Sequence, residues 1–140
     1  MNFLTTIIDL RIDKIIRHDW ENKYVVKSPL GLHFQFENYP IGLTISVNND
    51  GESLTIERES LEDFKNYGEL EYDYGDINDL NDQDPLNKLI GKEIKDVKVY
   101  SLKPEVQADN FTMIHNPYRK IILLFEELIF SYEHDGFTIH

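Results

Sequence analysis

A chain of 140 residues, 41% hydrophobic and 12% aromatic, is long enough to build one domain around its own core. The absence of cysteine excludes a disulfide framework, a thiolate zinc site and a cysteine nucleophile together. A formal charge of −12 repels nucleic acid and anionic membranes and attracts basic partners. No apolar run approaches the roughly 20 residues that cross a bilayer. Residues 1–9 lack the basic flank and unbroken apolar core of a secretory signal, so a cytoplasmic protein is expected.

In chain order, residues 6–18 place Ile8, Leu10, Ile12 and Ile16 at period two and predict a strand, with a helix through Ile8, Ile12 and Ile15 as the competing register. Residues 23–26 are short and β-branched, and Ser28-Pro-Leu-Gly31 is turn chemistry. Residues 32–37 alternate, which puts Leu32, Phe34 and Phe36 inward and His33, Gln35 and Glu37 toward water. A turn over 38–42 leads to a hairpin in which Leu43, Ile45 and Val47 alternate. Asn48-Asn-Asp-Gly51 supplies its turn and residues 53–56 its return.

The character then changes. Ser60 and Asp63 have capping-box spacing, Leu61, Phe64 and Tyr67 fall at helical spacing, and Gly68 marks a stop, so a helix is expected over 61–67. Residues 69–84 are rich in acid and poor in aliphatics and read as a loop. Asp84 can cap a second short helix that starts with Pro85, buries Leu86, Leu89 and Ile90, and ends at Gly91.

The remainder echoes the beginning. Residues 93–100 resemble 11–18 in their mix of apolar and charged positions, 103–110 read as a loop, and 111–115 as a strand ending at Asn116-Pro117. Residues 121–126 answer 32–37 by matching Phe125 with Phe36. Residues 128–132 answer 43–47, and Asp135-Gly136 answers Asp50-Gly51. Residues 121–125 are apolar on both faces, which predicts a strand that is central or covered twice, by the helices or by a second subunit. The expected fold is α+β, mainly β: a single domain over 1–140, with two related antiparallel units at about 6–56 and 91–140 joined by a helical, acidic segment over 57–90.

No catalytic signature is present. The seven glycines include no Gly-x-Gly loop, and neither Gly-x-Ser-x-Gly nor His-Glu-x-x-His occurs, so no catalytic residue and no cofactor are assigned. His134, Asp135 and His140 can be imagined around a divalent metal, but a turn histidine and the last residue account for them more simply. A calcium loop begun at Asp73 puts Gly75 at a ligand position, and one begun at Asp76 puts Leu80 there. An irregular site made of Asp76, Asp79, Asp82 and Asp84 is the remaining metal reading, and a solvated loop is the simpler one.

The charge is concentrated. From Glu57 to Asp84 eleven carboxylates face only Arg58 and Lys65, so one fifth of the chain carries most of the negative field, interleaved with Tyr67, Tyr72 and Tyr74. Aromatic rings beside carboxylates make a protein-binding surface: the rings offer contact area and the acids steer a basic partner.

Gly91-Lys-x-Ile-x-x-Val-x-Val-Tyr100, followed by a Leu-x-Phe strand and a strand ending in Asp-Gly, resembles the immunity proteins of polymorphic toxin systems and related families of unknown function. The resemblance covers about half of the chain. It implies a protein that binds one cognate toxin without chemistry, presenting carboxylates where a basic nuclease expects phosphates. The candidate partner-binding residues are Glu69, Glu71, Tyr72, Asp73, Tyr74, Asp76, Asp79, Asp82 and Asp84. The competing readings are a small-ligand or metal-binding domain, hydrolytic or not, with a pocket between the β units, and a structural homodimer.

Overall fold

The computed structural model describes residues 2–71, 75–101 and 118–140, and the side chains of all of these except 2 and 67–71. Among them, nine antiparallel strands join in one curled, half-barrel sheet with little helix. The chain runs α1 (Asn2–Thr6), β1 (Ile12–Trp20), β2 (Gly31–Phe36), β3 (Tyr39–Val47), β4 (Leu54–Glu59), α2 (Leu61–Glu71), β5 (Gly75–Asp79), a 3-10 turn (Pro85–Leu89), β6 (Asp96–Ser101), β7 (Tyr118–Leu124), β8 (Ile129–Glu133) and β9 (Gly136–Ile139). The ladder order is β5-β1-β2-β3-β4-β7-β8-β9, with β6 on the other side of β7.

The first strand begins later than its apolar pattern predicts, because Asp9 takes a left-handed turn (φ 76°) after α1. Its inward face also differs from Ile8, Leu10, Ile12 and Ile16. The register against β2 shifts between Ile12 and Lys14, and a one-residue slip moves every later side chain to the opposite face. Ile12 and Ile15 therefore share the main core, while Ile16 is buried outside it. Residues 24–26 form no strand; only Lys23 bridges back to Trp20.

On β2, Leu32, Phe34 and Phe36 enter the core as the alternation requires, but His33 is buried instead of facing water. The cover is α2, whose Phe64 ring stacks on the His33 imidazole at 5.2 Å between centroids. Period-two alternation reports one buried face and is silent about a helix laid over the other. The turn expected over 38–42 shrinks to Glu37 and Asn38, with Phe36 opposite Tyr39 and Asn38 left-handed at φ 56°.

Ser60 caps α2 by accepting the Asp63 N–H at 3.1 Å, and the helix runs through Gly68 to Glu71. Beyond it, the expected acidic loop contains β5, an edge strand paired with β1. Charged residues are common on such edges because they discourage pairing with other chains, and here they masked the strand. The second cap behaves as expected, with Asp84 Oδ1 accepting the Leu86 N–H at 2.9 Å and Gly91 at φ 81°; Leu86 and Leu89 are buried, but Ile90 is only half-buried. The loop expected at 103–110, the strand at 111–115 and the turn at 116–117 lie outside the described residues.

Strand β7 is central, between β6 and β8, with Ile121 and Leu123 buried and Ile122 and Leu124 half-buried. Two four-stranded meanders result, β1 to β4 and β6 to β9. Ser46 opposes Thr55 in one and Ser131 opposes Thr138 in the other. The meanders touch along the ladder at Leu54 and Tyr118, and one apolar cluster runs through both, with Phe34 edge-on to Phe130 at 5.6 Å.

Candidate functional site

Arg17 on β1 points into the interior and is fully buried. A buried guanidinium is tolerated only when its charge is balanced and its N–H groups are used. Asp19, two residues along the same face, accepts from Nε at 3.1 Å and from Nη2 at 2.7 Å; Asp84 accepts from Nη1 at 2.8 Å. The remaining donors go to the carbonyls of Val26, at 2.6 Å, and Val25, at 2.8 Å. Burial opposes the Arg17 charge, but the bonds and charges of Asp19 and then Asp84 outweigh it and raise its pKa above the ordinary value. The Tyr24 ring lies 4.1 Å from the guanidinium carbon, and its hydroxyl donates to Asp84. Burial, then that bond, pushes the Tyr24 phenol up to about 12.

This cluster leaves no guanidinium N–H for a substrate, and its effect is architectural. It pulls the carbonyls of Val25 and Val26 inward while the two residues stay 38% and 42% exposed. Trp20, the last residue of β1 before this connection, is 45% exposed. The connection is also stitched to the acidic segment. Trp20 pairs with Gly75, the Asn22 N–H donates to Asp76 at 3.0 Å, and Asn78 donates to Asp19 at 3.0 Å.

The sequence-predicted partner residues separate on this frame. Asp76 is half-buried on β5 and accepts from Asn22, whereas Asp79, at the end of β5, has a side chain 80% exposed and 3.8 Å from Lys14. Asp82 is exposed in the following turn. Asp84 is a correction: it lies inside, as cap and as partner of Arg17, and offers nothing to the surface. Glu69 and Glu71 belong to α2, with side chains outside the described residues; Tyr72, Asp73 and Tyr74 lie outside them altogether. The exposed aromatic and aliphatic area nearest in the chain to the Asn22–Asp76 bond is Trp20, Val25 and Val26. The signal for Trp20 was available, since it is the single tryptophan and is flanked by Asp19, Glu21 and Asn22 at a strand end.

Two hollows lie on the surface among the described residues. One, of about 610 Å³, has Arg11, Lys88, Lys92 and Lys95 facing Glu93, Glu126 and Glu127, a mixed lining in which Lys95 pairs with Glu93 at 2.5 Å. The other, of about 320 Å³, lies where the ends of β1 and β3 meet the β8–β9 turn and contains no Asp, Glu, Lys or Arg. Among the described residues, no group of three His, Asp or Glu side chains gathers as a cation site. Comparison of the chain with protein-family models, curated proteins and solved structures finds no match.

Proposed function

We propose that the protein is an intracellular binding module that captures a basic protein partner, on the pattern of a toxin-neutralising immunity protein. The observation that carries this reading is the junction between the acidic edge and the β1–β2 connection. Asp76, Asp79 and Asp82 supply negative charge along and just past β5, which is tied to the connection by the Trp20–Gly75 pair and the Asn22–Asp76 bond, and Trp20, Val25 and Val26 stand exposed next to a fully bonded ionic cluster. Apolar anchors rimmed by charge are the anatomy of a specific interface: the anchors hold, and the rim steers. On this reading the edge acids take the part of the phosphates of a nuclease substrate. We further infer that the two meanders are related units, a reading supported by their common strand order and by the Ser46–Thr55 and Ser131–Thr138 pairs.

The test is capture of the partner from the native cell by the wild-type chain and by a triple variant, Asp76→Lys, Asp79→Lys, Asp82→Lys. Circular dichroism verifies that both are folded. Binding should be lost in the triple variant and weakened about tenfold or more in Trp20→Ala, the range of a buried aromatic anchor. Equal capture by all three proteins would remove this surface from the proposal.

A further inference from the structure

The smaller hollow has a chemistry unlike the rest of the molecule. In a chain of net charge −12, its lining carries no carboxylate, ammonium or guanidinium group. One side is the exposed Trp20, with Pro29 and Val47 as further apolar lining; Ser46, Asn49 and His134 bring a hydroxyl, an amide and an imidazole. His134 Nε2 lies 3.0 Å from the Asn48 carbonyl, which can only accept, so Nε2 carries a proton and donates to it. The Asn48 amide is already committed, donating to Ser53 at 2.8 Å and accepting from Thr55 at 2.7 Å. Its backbone therefore fixes the imidazole while its side chain fixes the hairpin.

We propose that this hollow binds an uncharged sugar ring. A volume of about 320 Å³ is at the lower end of small-ligand sites and suits a single ring. A pyranose has an apolar C–H face to set against one indole and a rim of hydroxyls that both donate and accept, which matches hydroxyl, amide and imidazole partners. A nucleobase is suited instead to stacking between two large aromatic planes, and the lining offers one indole beside the smaller imidazoles of His18 and His134. Phosphorylated or acidic ligands meet the repulsion of the whole chain without a compensating cation at the site. The site differs from the acidic edge, sharing Trp20 alone with it.

Trp20, as the sole tryptophan, reports on its own site by fluorescence. Glucose, galactose, mannose and N-acetylglucosamine are titrated into the full chain, alongside adenosine, uridine and glucuronate. At least one neutral sugar should shift the emission with saturation, at a dissociation constant of about 1 mM or below, equivalent to roughly −4 kcal/mol. Saturation transfer from the sugar protons should disappear in Trp20→Ala. Asn49→Ala should weaken binding about fivefold, the value of one hydrogen bond. The double variant Asp79→Lys, Asp82→Lys, which keeps the Asp76–Asn22 bond near Trp20, should bind the sugar as wild type does, so failure of partner capture and failure of sugar binding are separate results. No response to any neutral sugar, a response to a nucleoside alone, or glucuronate binding as tightly as glucose would each overturn the proposal.

Discussion

The two meanders close their ladders alike and bury different chemistry. Arg17 opposes Leu32 in the first, and Val97 opposes Leu123 in the second. The first buries Arg17, His18, Asp19, His33, Thr44 and Ser53, while the buried side chains described in β6 to β9 are aliphatic, phenylalanine or tyrosine. A four-stranded meander of this sheet thus closes without an interior charge. The ionic cluster has to be explained by what it holds, namely the carbonyls of Val25 and Val26 and the turn capped by Asp84.

The largest effect comes from making the first meander like the second. Arg17→Val leaves the Asp19 and Asp84 carboxylates buried without their cation, and should cost about 3–5 kcal/mol of stability in urea denaturation. Adding Asp19→Asn and Asp84→Asn removes the stranded charges, and the triple variant should regain about 1–3 kcal/mol over the single one. If Arg17→Val costs under about 1 kcal/mol, the cluster does not hold this end of the sheet together.

His33 supplies the next contrast. Burial lowers its pKa to about 4, and its Nδ1 meets Thr44 Oγ1 at 2.9 Å. The folded chain keeps the ring neutral while the unfolded chain takes up a proton near pH 6.5, so stability is full above that value and falls as pH drops toward 4. The loss over this window should be about 3 kcal/mol from His33. Burial lowers the His18 pKa as well, which acts in the same direction. His33→Gln should flatten the pH profile of the melting temperature. An unchanged profile would show that His33 does not set it.

Much of this architecture was legible in the sequence, and the losses have a common cause. The hairpin 43–56, the Asp84 cap with Leu86 and Leu89, and the central apolar strand from Ile121 rest on local patterns of burial and turn chemistry, and the structure follows them. His33 facing inward, β5 within an acidic run and Asp84 inside depend on distant partners: Phe64, β1 and Arg17. Local pattern cannot report a cover supplied from elsewhere in the chain. For the candidate site the result is divided. The acidic segment was visible as composition, but which acids reach solvent was decided by Arg17, and the exposed apolar residues lay outside the segment that drew attention.

A smaller effect tests how closely β5 is fitted to the first meander. A Cβ on Gly75 would stand 1.9 Å from His18 Nε2, so Gly75→Ala should cost about 1–3 kcal/mol by overpacking. In a His18→Ala background the same change should cost less than about 0.5 kcal/mol, because the clashing ring is gone. Equal costs in both backgrounds would mean that the His18 ring is not what the added methyl group meets.

The smallest effect on stability carries the most information about function. Asp79 and Asp82 are exposed and Asp84 is buried, although the three lie within one acidic run. The Asp79 side chain is 80% exposed and its approach to Lys14 is 3.8 Å, a geometry that contributes little to folding. Asp79→Lys and Asp82→Lys should therefore each move the unfolding midpoint by no more than the equivalent of about 0.5 kcal/mol. Asp84→Lys sets two cations against each other in the interior and should prevent folding. Residues whose charge can be reversed without loss of stability are free to be chosen by a partner. If Asp79→Lys proves as damaging as a change in the interior, the edge is structural, and the difference between the meanders is one of folding alone.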